Sequence, residues 1–325
     1  MSATAAALNP GIDAGVRTWL ALWEQAWSAL PPGAGHAERR HLFETLARQQ
    51  RQPTPADITV SELYAPHGAQ FVRLRVFRPQ ADGPTPAVLM LHGGAWMEGS
   101  PETHWDNAVA VASRTRATVL SIAYGLTPEH PFPTAIEQCR SVAIWVQSQA
   151  TTLGLDAKRL ALWGDSAGAN LAAALALVLR DAGVPVAGQV LVYPALAFDR
   201  SRPSYHENAD GPVVLVKAMD FVDGLYCRRP EDRQHPLAAP LLAEHHAGLA
   251  PAMIAVAQFD PLRDDGIAYA EVLRAAGVPV QLHPGAGLVH GYMRAVPWSA
   301  AARQAQDSCL DWLADRLATT PPATA

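Results

Sequence analysis

Leu160-Ala161-Leu162-Trp163-Gly164-Asp165-Ser166-Ala167-Gly168-Ala169-Asn170 is the stretch whose reading decides the fold of this chain. A short apolar run, 160–163, meets Gly164-Asp165-Ser166-Ala167-Gly168, and a long segment rich in Leu and Ala follows at once. G-x-S-x-G between a strand and a helix spells a very tight strand-to-helix turn. The serine on that turn takes strained backbone angles. Its neighbours two residues away approach each other closely, so Gly164 and Gly168 carry no side chain. The strain lifts the Ser166 hydroxyl clear of the sheet, and the following helix aims its positive dipole end at the same point. Ser166 is therefore the first candidate nucleophile. G-x-S-x-G also arises by chance in glycine-rich turns, but here the apolar strand and the helical run 171–179 supply the context that the motif requires.

Strands and helices alternate on both sides of this turn. Apolar strands are expected at 87–91, 117–123, 160–163, 189–193, 253–258 and 279–283, with helices at 104–114, 134–149, 267–276 and 300–317. Repeated βα units with apolar strands predict an α/β fold, a mostly parallel central sheet with helices on both faces. Two further strands, 58–64 and 71–77, precede that series; the second alternates Val72, Leu74 and Val76 with Arg73 and Arg75. Before any strand, Val16, Leu20, Trp23 and Trp27 recur at helical spacing. A second amphipathic helix is expected at 37–50, after the Pro31-Pro32-Gly33 break. Residues 198–251 interrupt the rhythm with a polar, proline-rich stretch and one helix candidate at 217–226, as an insertion forming a pocket wall does.

Composition bounds the function classes. The 325 residues are 49% hydrophobic and 17% charged with a formal net charge of −5, enough for a large core in one α/β domain. No run of Lys and Arg interleaves with aromatics, so nucleic acid is not an expected partner. No apolar run reaches the length of a membrane span, and residues 1–10 lack a signal-peptide pattern. Cys139, Cys227 and Cys309 are odd in number and scattered, which suggests free thiols in a reducing compartment; the expected location is the cytoplasm. Nothing separates a monomer from a homodimer.

A serine needs a base and an orienting carboxylate, and in this fold they follow it in the order acid, then histidine. Asp260, after the strand 253–258, and His290, in the loop after 279–283, have that order and lie at the C-terminal ends of strands. Among the rest of the 12 histidines, His245 and His246 fall in an expected surface stretch and His283 at a strand end. Asp264 and Asp265 are read as helix N-terminal charges, and Asp165 as structural. After the strand 87–91, His92-Gly93-Gly94-Ala95-Trp96 is placed to present backbone N–H groups to a developing oxyanion. The cysteines stand in no metal-like spacing.

His92-Gly93-Gly94-Ala95-Trp96, Tyr124 through Pro133, Gly164-Asp165-Ser166-Ala167-Gly168, Asp260 through Gly266 and His290-Gly291 stand in one order. Together they resemble the hormone-sensitive-lipase-like family of bacterial esterases (family IV), within the α/β-hydrolase fold. The resemblance spans about residues 85–295. It implies hydrolysis of short-chain carboxylic esters of small molecules through an acyl-enzyme, without metal or organic cofactor, with Ser166 as nucleophile, His290 as base and Asp260 as its orienter. It also implies an oxyanion hole from Gly94, Ala95 and Ala167, shaped by Gly93, with His92 anchoring the loop. Trp96, Tyr193, Phe198, Leu215 and Val289 are the candidate substrate contacts. The implied organisation is a cap at 1–50, a core at 51–197 and 226–318, an insertion at 198–225 completing the cap, and a disordered tail at 319–325. The chain departs from the family where Ala95 replaces a glycine, Gly125 an arginine and Ala169 a glycine. The His-Gly-Gly-x-Trp segment also resembles arylformamidases, making formamide hydrolysis the runner-up. A non-catalytic binding protein on the same scaffold is disfavoured, since all three triad residues are present.

Overall fold

The structure is a computed structural model and describes residues 9–318; the tail read at 319–325 lies outside them. In chain order, two helices come first, α1 (Ala14–Trp27) and α2 (His36–Gln50). The strands β1 (Ile58–His67), β2 (Gln70–Pro79) and β3 (Thr85–Leu91) follow. Then come α3 (Trp105–Thr115), β4 (Thr118–Ile122), α4 (Thr134–Ser148), β5 (Leu155–Asp165), α5 (Ala167–Asp181) and β6 (Gly188–Val192). The insertion holds α6 (Pro203–Glu207) and α7 (Val216–Tyr226), before β7 (Ala252–Ala255), α8 (Arg263–Ala275), β8 (Val280–His283) and α9 (Ala300–Ala318).

These strands form one eight-stranded sheet in the order β1-β2-β4-β3-β5-β6-β7-β8. β1 and β2 pair antiparallel at one edge, and the six strands from β4 to β8 are parallel. The pleat sends alternate side chains to opposite faces. Ala87, Leu89 and Leu91 enter one core with α4, α5 and α8, while Val88 and Met90 enter the other with α1, α3 and α9. A strand buried on both faces reads as the unbroken apolar run seen in the sequence.

Register then places the loops. Leu91 pairs with Gly164, so the segment after β3 leaves the sheet beside the turn after β5. Beyond the ends of β7 and β8, an isolated parallel bridge joins Phe259 to Val289, which sets the residues that follow, Asp260 and His290, side by side. α1 has two roles along its length. Asp13 caps it, accepting from the Gly15 and Val16 amides at 2.9 and 3.1 Å, a contact worth ~1 kcal/mol. Val16, Trp19 and Leu20 are buried in the sheet core, whereas Trp23 and Trp27, one and two turns on, reach the cavity above Ser166.

Candidate active site

Ser166 sits at the junction of β5 and α5 with φ 54° and ψ −121°, a conformation that L-residues rarely hold. The glycines permit it. A Cβ on Gly164 would lie 2.2 Å from the Gly168 carbonyl oxygen, and one on Gly168 would lie 2.1 Å from that of Leu91. No side chain fits at either position.

From this turn one line of hydrogen bonds leads away. His290 Nε2 is 2.8 Å from Ser166 Oγ, and His290 Nδ1 is 2.7 Å from Asp260 Oδ2. Asp260 is fully buried, and its Oδ1 accepts from the Leu262 amide at 2.9 Å. Tyr193 packs against the imidazole at 4.7 Å between ring centroids. The Ser166–His290 and His290–Asp260 contacts are both within hydrogen-bond reach.

On the other side of Ser166 lies the loop 92–96. The Gly93 N–H donates to Asp165 Oδ1 at 3.0 Å, so it is spent on shaping the loop. Among the described residues the Gly94 and Ala95 N–H groups are taken by no other group of the chain, and both residues line the cavity beside Ser166. Ala167 opens α5, where an N–H has no partner within the helix. Ala95 holds φ 53°, a left-handed conformation easy for glycine and costing alanine ~1 kcal/mol. His92 is buried, stacked on Tyr124 at 4.2 Å, with Nδ1 2.9 Å from the Gly93 carbonyl. Burial first, and then the neighbouring His104 imidazole, push its pKa down to about 3, so it is a neutral anchor.

The cavity over Ser166 has a volume of about 340 Å³, near the lower end of the range for small-molecule sites, ~300–1,000 Å³. Trp96, Tyr193, Phe198 and Leu215 line it, together with Trp23, Trp27 and Phe43 from the N-terminal helices and Val213, Met219 and Val222 from the insertion. Val289 does not. It is fully buried in the sheet core, and its backbone carries the bridge to Phe259 that aligns His290 with Asp260.

Residues 88–294 match the profile of a family described by its alpha/beta hydrolase fold. Esterase LipI of Mycobacterium tuberculosis is 41% identical over 248 residues, 75% of this chain and 78% of that protein. The chain belongs to the hormone-sensitive-lipase-like esterases of the α/β-hydrolase fold. An ethyl acetate hydrolase of Pseudomonas putida is 34% identical over 298 residues, covering 88% of this chain and 92% of that protein. The crystal structure of a thermostable esterase from Pseudomonas putida superposes with a TM-score of 0.88 at 30% identity, covering 95% of this chain and 98% of that one. Like its family, the chain is a carboxylic ester hydrolase.

Several residues of this esterase fold stand where the sequence reading did not put them. Asp265 stands in the first turn of α8, as read, but it does more than face the helix dipole. It is fully buried and accepts from the Leu196 and Ala197 amides, at 3.2 Å each, and from the Tyr205 hydroxyl at 3.1 Å. Burial outweighs these donors and the Arg202 guanidinium, and pushes the carboxyl up to about 7. His246 is buried as well; its Nε2 lies 3.0 Å from the Pro240 carbonyl, while its neighbour His245 is exposed. Asp165 is the structural residue expected, but its partners lie far away in the chain. His104 Nε2 is 3.1 Å from Asp165 Oδ1, and Arg294 Nη2 is 3.2 Å from the same imidazole nitrogen. Burial alone would raise the Asp165 carboxyl; His104, Arg294 and the Gly93 N–H together hold it well below the usual carboxylate range. His104 opens a helix and Arg294 lies four residues beyond His290, and neither position shows this network in the sequence.

Proposed function

We propose that this chain is a serine carboxylesterase acting on short-chain acyl esters through a Ser166–His290–Asp260 triad. The observation that carries this reading is the unbroken hydrogen-bonded line from Ser166 Oγ through His290 to buried Asp260, at 2.8 and 2.7 Å. Ser166 Oγ attacks the ester carbonyl carbon while its proton passes to His290 Nε2. Negative charge gathers on the carbonyl oxygen, toward which Gly94, Ala95 and Ala167 offer N–H groups; each such donor is worth ~3–4 kcal/mol in the transition state. As the tetrahedral species collapses, His290 gives the proton to the departing alcohol. Water, deprotonated by the same imidazole, then hydrolyses the acyl-enzyme to the carboxylic acid. Asp260 accepts the Nδ1 proton's hydrogen bond throughout, which holds the tautomer and steadies the imidazolium.

The small apolar cavity supports a short acyl or alcohol group. Contacts from both 1–50 and 198–225 support their reading as one cap, with the rest of 51–318 as the core. Nothing in the site favours a formamide over an ester. The test is turnover of p-nitrophenyl butyrate against that of an N-formyl aryl amine by the parent protein and by Ser166→Ala. Ester turnover that survives Ser166→Ala, or preference for the formamide, would overturn the reading.

A further inference from the structure

Beside the active-site cavity lies a second one, of about 270 Å³, between α2, α3 and the segment after His290. Three side chains line both: Trp23, Phe43 and Arg294. The wall between the two is therefore one side chain thick. Trp23 meets Phe43 edge-on with centroids 5.6 Å apart, and the Arg294 guanidinium lies 4.7 Å from the Phe43 ring and 5.8 Å from that of Trp23. Arg294 is held in place by these rings and by His104. Among the described residues no group holds the Trp23 indole nitrogen; the ring packs between Trp19 and Trp27 at 5.8 and 5.2 Å and is only partly buried.

The second cavity is also suited to hydrocarbon. Much of its charged and polar lining is already paired. Glu102 receives Arg73 and Arg75 at 2.9 and 2.8 Å, Asp106 accepts from the Gln52 amide at 3.2 Å, and Asn107 receives Gln306 at 3.1 Å. Most of what remains for an occupant is apolar: Leu46, Ala47, Val109, Ala110, Val296 and Trp298. A site with few polar groups left to satisfy takes alkyl surface, since burying an unpaired polar group is costly.

We propose that this second cavity receives the alkyl tail of longer esters, and that Trp23 sets the chain length at which the active-site cavity ends. The inference rests on the esterase reading above. The tail can belong to the acyl group or to the alcohol, and the substrate series tells them apart.

The experiment compares kcat/KM across p-nitrophenyl alkanoates from acetate to dodecanoate, and across alkyl acetates from ethyl to dodecyl. It uses the parent protein, Trp23→Ala and the double variant Trp23→Ala with Ala110→Trp. In Trp23→Ala the ratio of long-ester to acetate kcat/KM rises by about fourfold for each methylene that enters the second cavity. The rise falls in the first series for an acyl tail and in the second for an alcohol tail. Adding Ala110→Trp, which puts an indole into the second cavity from its α3 wall, returns the ratio to the parent value. A ratio unmoved at every length in both series, or a rise that Ala110→Trp does not reverse, overturns the proposal. Should Trp23→Ala fail to fold, Trp23→Leu keeps an apolar side chain between Trp19 and Trp27 and carries the same comparison. Failure of the esterase reading looks different, because the parent protein would then lack Ser166-dependent turnover of acetate altogether.

Discussion

Replacing Gly93 with alanine isolates what positions the oxyanion loop. The residue lies outside the left-handed backbone region, so alanine meets no conformational strain there. Space is the obstacle. A Cβ on Gly93 would stand 2.5 Å from Asp165 Oδ2 and 2.8 Å from the Asp165 carbonyl oxygen. Ordinary non-bonded contacts begin near ~3.5 Å, so the loop must recede by roughly 1 Å. It cannot recede freely, because the Gly93 N–H is bound to Asp165 Oδ1 at 3.0 Å and Asp165 is fixed beside Ser166. The displacement passes to the next two residues, Gly94 and Ala95, whose N–H groups face the reacting oxygen in the mechanism above. A 1 Å misplacement costs ~100-fold in rate, and losing one donor outright costs ~100- to 1,000-fold. Gly93→Ala is therefore expected to lower kcat about 100-fold with little change in KM, since the donors act on charge that develops in the transition state. Overpacking costs a further ~1–3 kcal/mol of stability. The assay is kcat and KM on p-nitrophenyl butyrate, normalised to intact sites by titrating Ser166 with an organophosphate. A kcat per labelled site within about threefold of the parent, under ~1 kcal/mol of barrier, would refute the reasoning.

Ser166→Ala and His290→Ala should each abolish ester hydrolysis while leaving the thermal midpoint near that of the parent; activity above about a hundredth of the parent in either would point to other catalytic groups. His283→Ala should keep kcat/KM within about threefold, because His283 Nδ1 accepts only from the nearby Gly285 amide at 3.2 Å; a loss equal to that of His290→Ala would mean the base is misassigned. Asp265 carries a pH signature. Its carboxyl is raised from 3.8 to about 7 in the fold, first by burial, so folding favours its protonated form. That stabilising contribution is fully present below about pH 4 and is lost as pH rises through about 7. Relative to the parent, Asp265→Asn should therefore gain in thermal midpoint between pH 5 and pH 8, and a gap independent of pH would count against a raised carboxyl.

The local codes are legible in the chain itself. Gly164-Asp165-Ser166-Ala167-Gly168 largely specifies its own turn, because Gly164 is constrained by Gly168 four residues on and only glycine meets it, although Gly168 itself is constrained by the Leu91 carbonyl on the neighbouring strand. The strand and helix series follows from burial on two faces, which writes itself as apolar runs, and strand ends place Asp260 and His290 on the side of the sheet where Ser166 emerges. The loop-shaping parts of Gly93 and His92 come from the family resemblance, and the Gly93–Asp165 and His92–Gly93 hydrogen bonds agree with them. What tertiary structure alone decided are contacts between elements far apart in sequence. Val289 is read among the candidate substrate contacts, yet its backbone serves the bridge to Phe259. Asp265 looks like a helix-end charge, and whether an acidic group at a helix start meets water or four donors depends on the chain that packs over it. The Asp165–His104–Arg294 network joins residues 61 and 129 positions away from Asp165, and no periodicity reports such a distance. The same holds for α1, whose apolar stripe was plain but whose partner was not. One end enters the sheet core at Trp19 and the other meets the cavity at Trp23, because an amphipathic pattern states that a face is buried and leaves the burying surface to the fold.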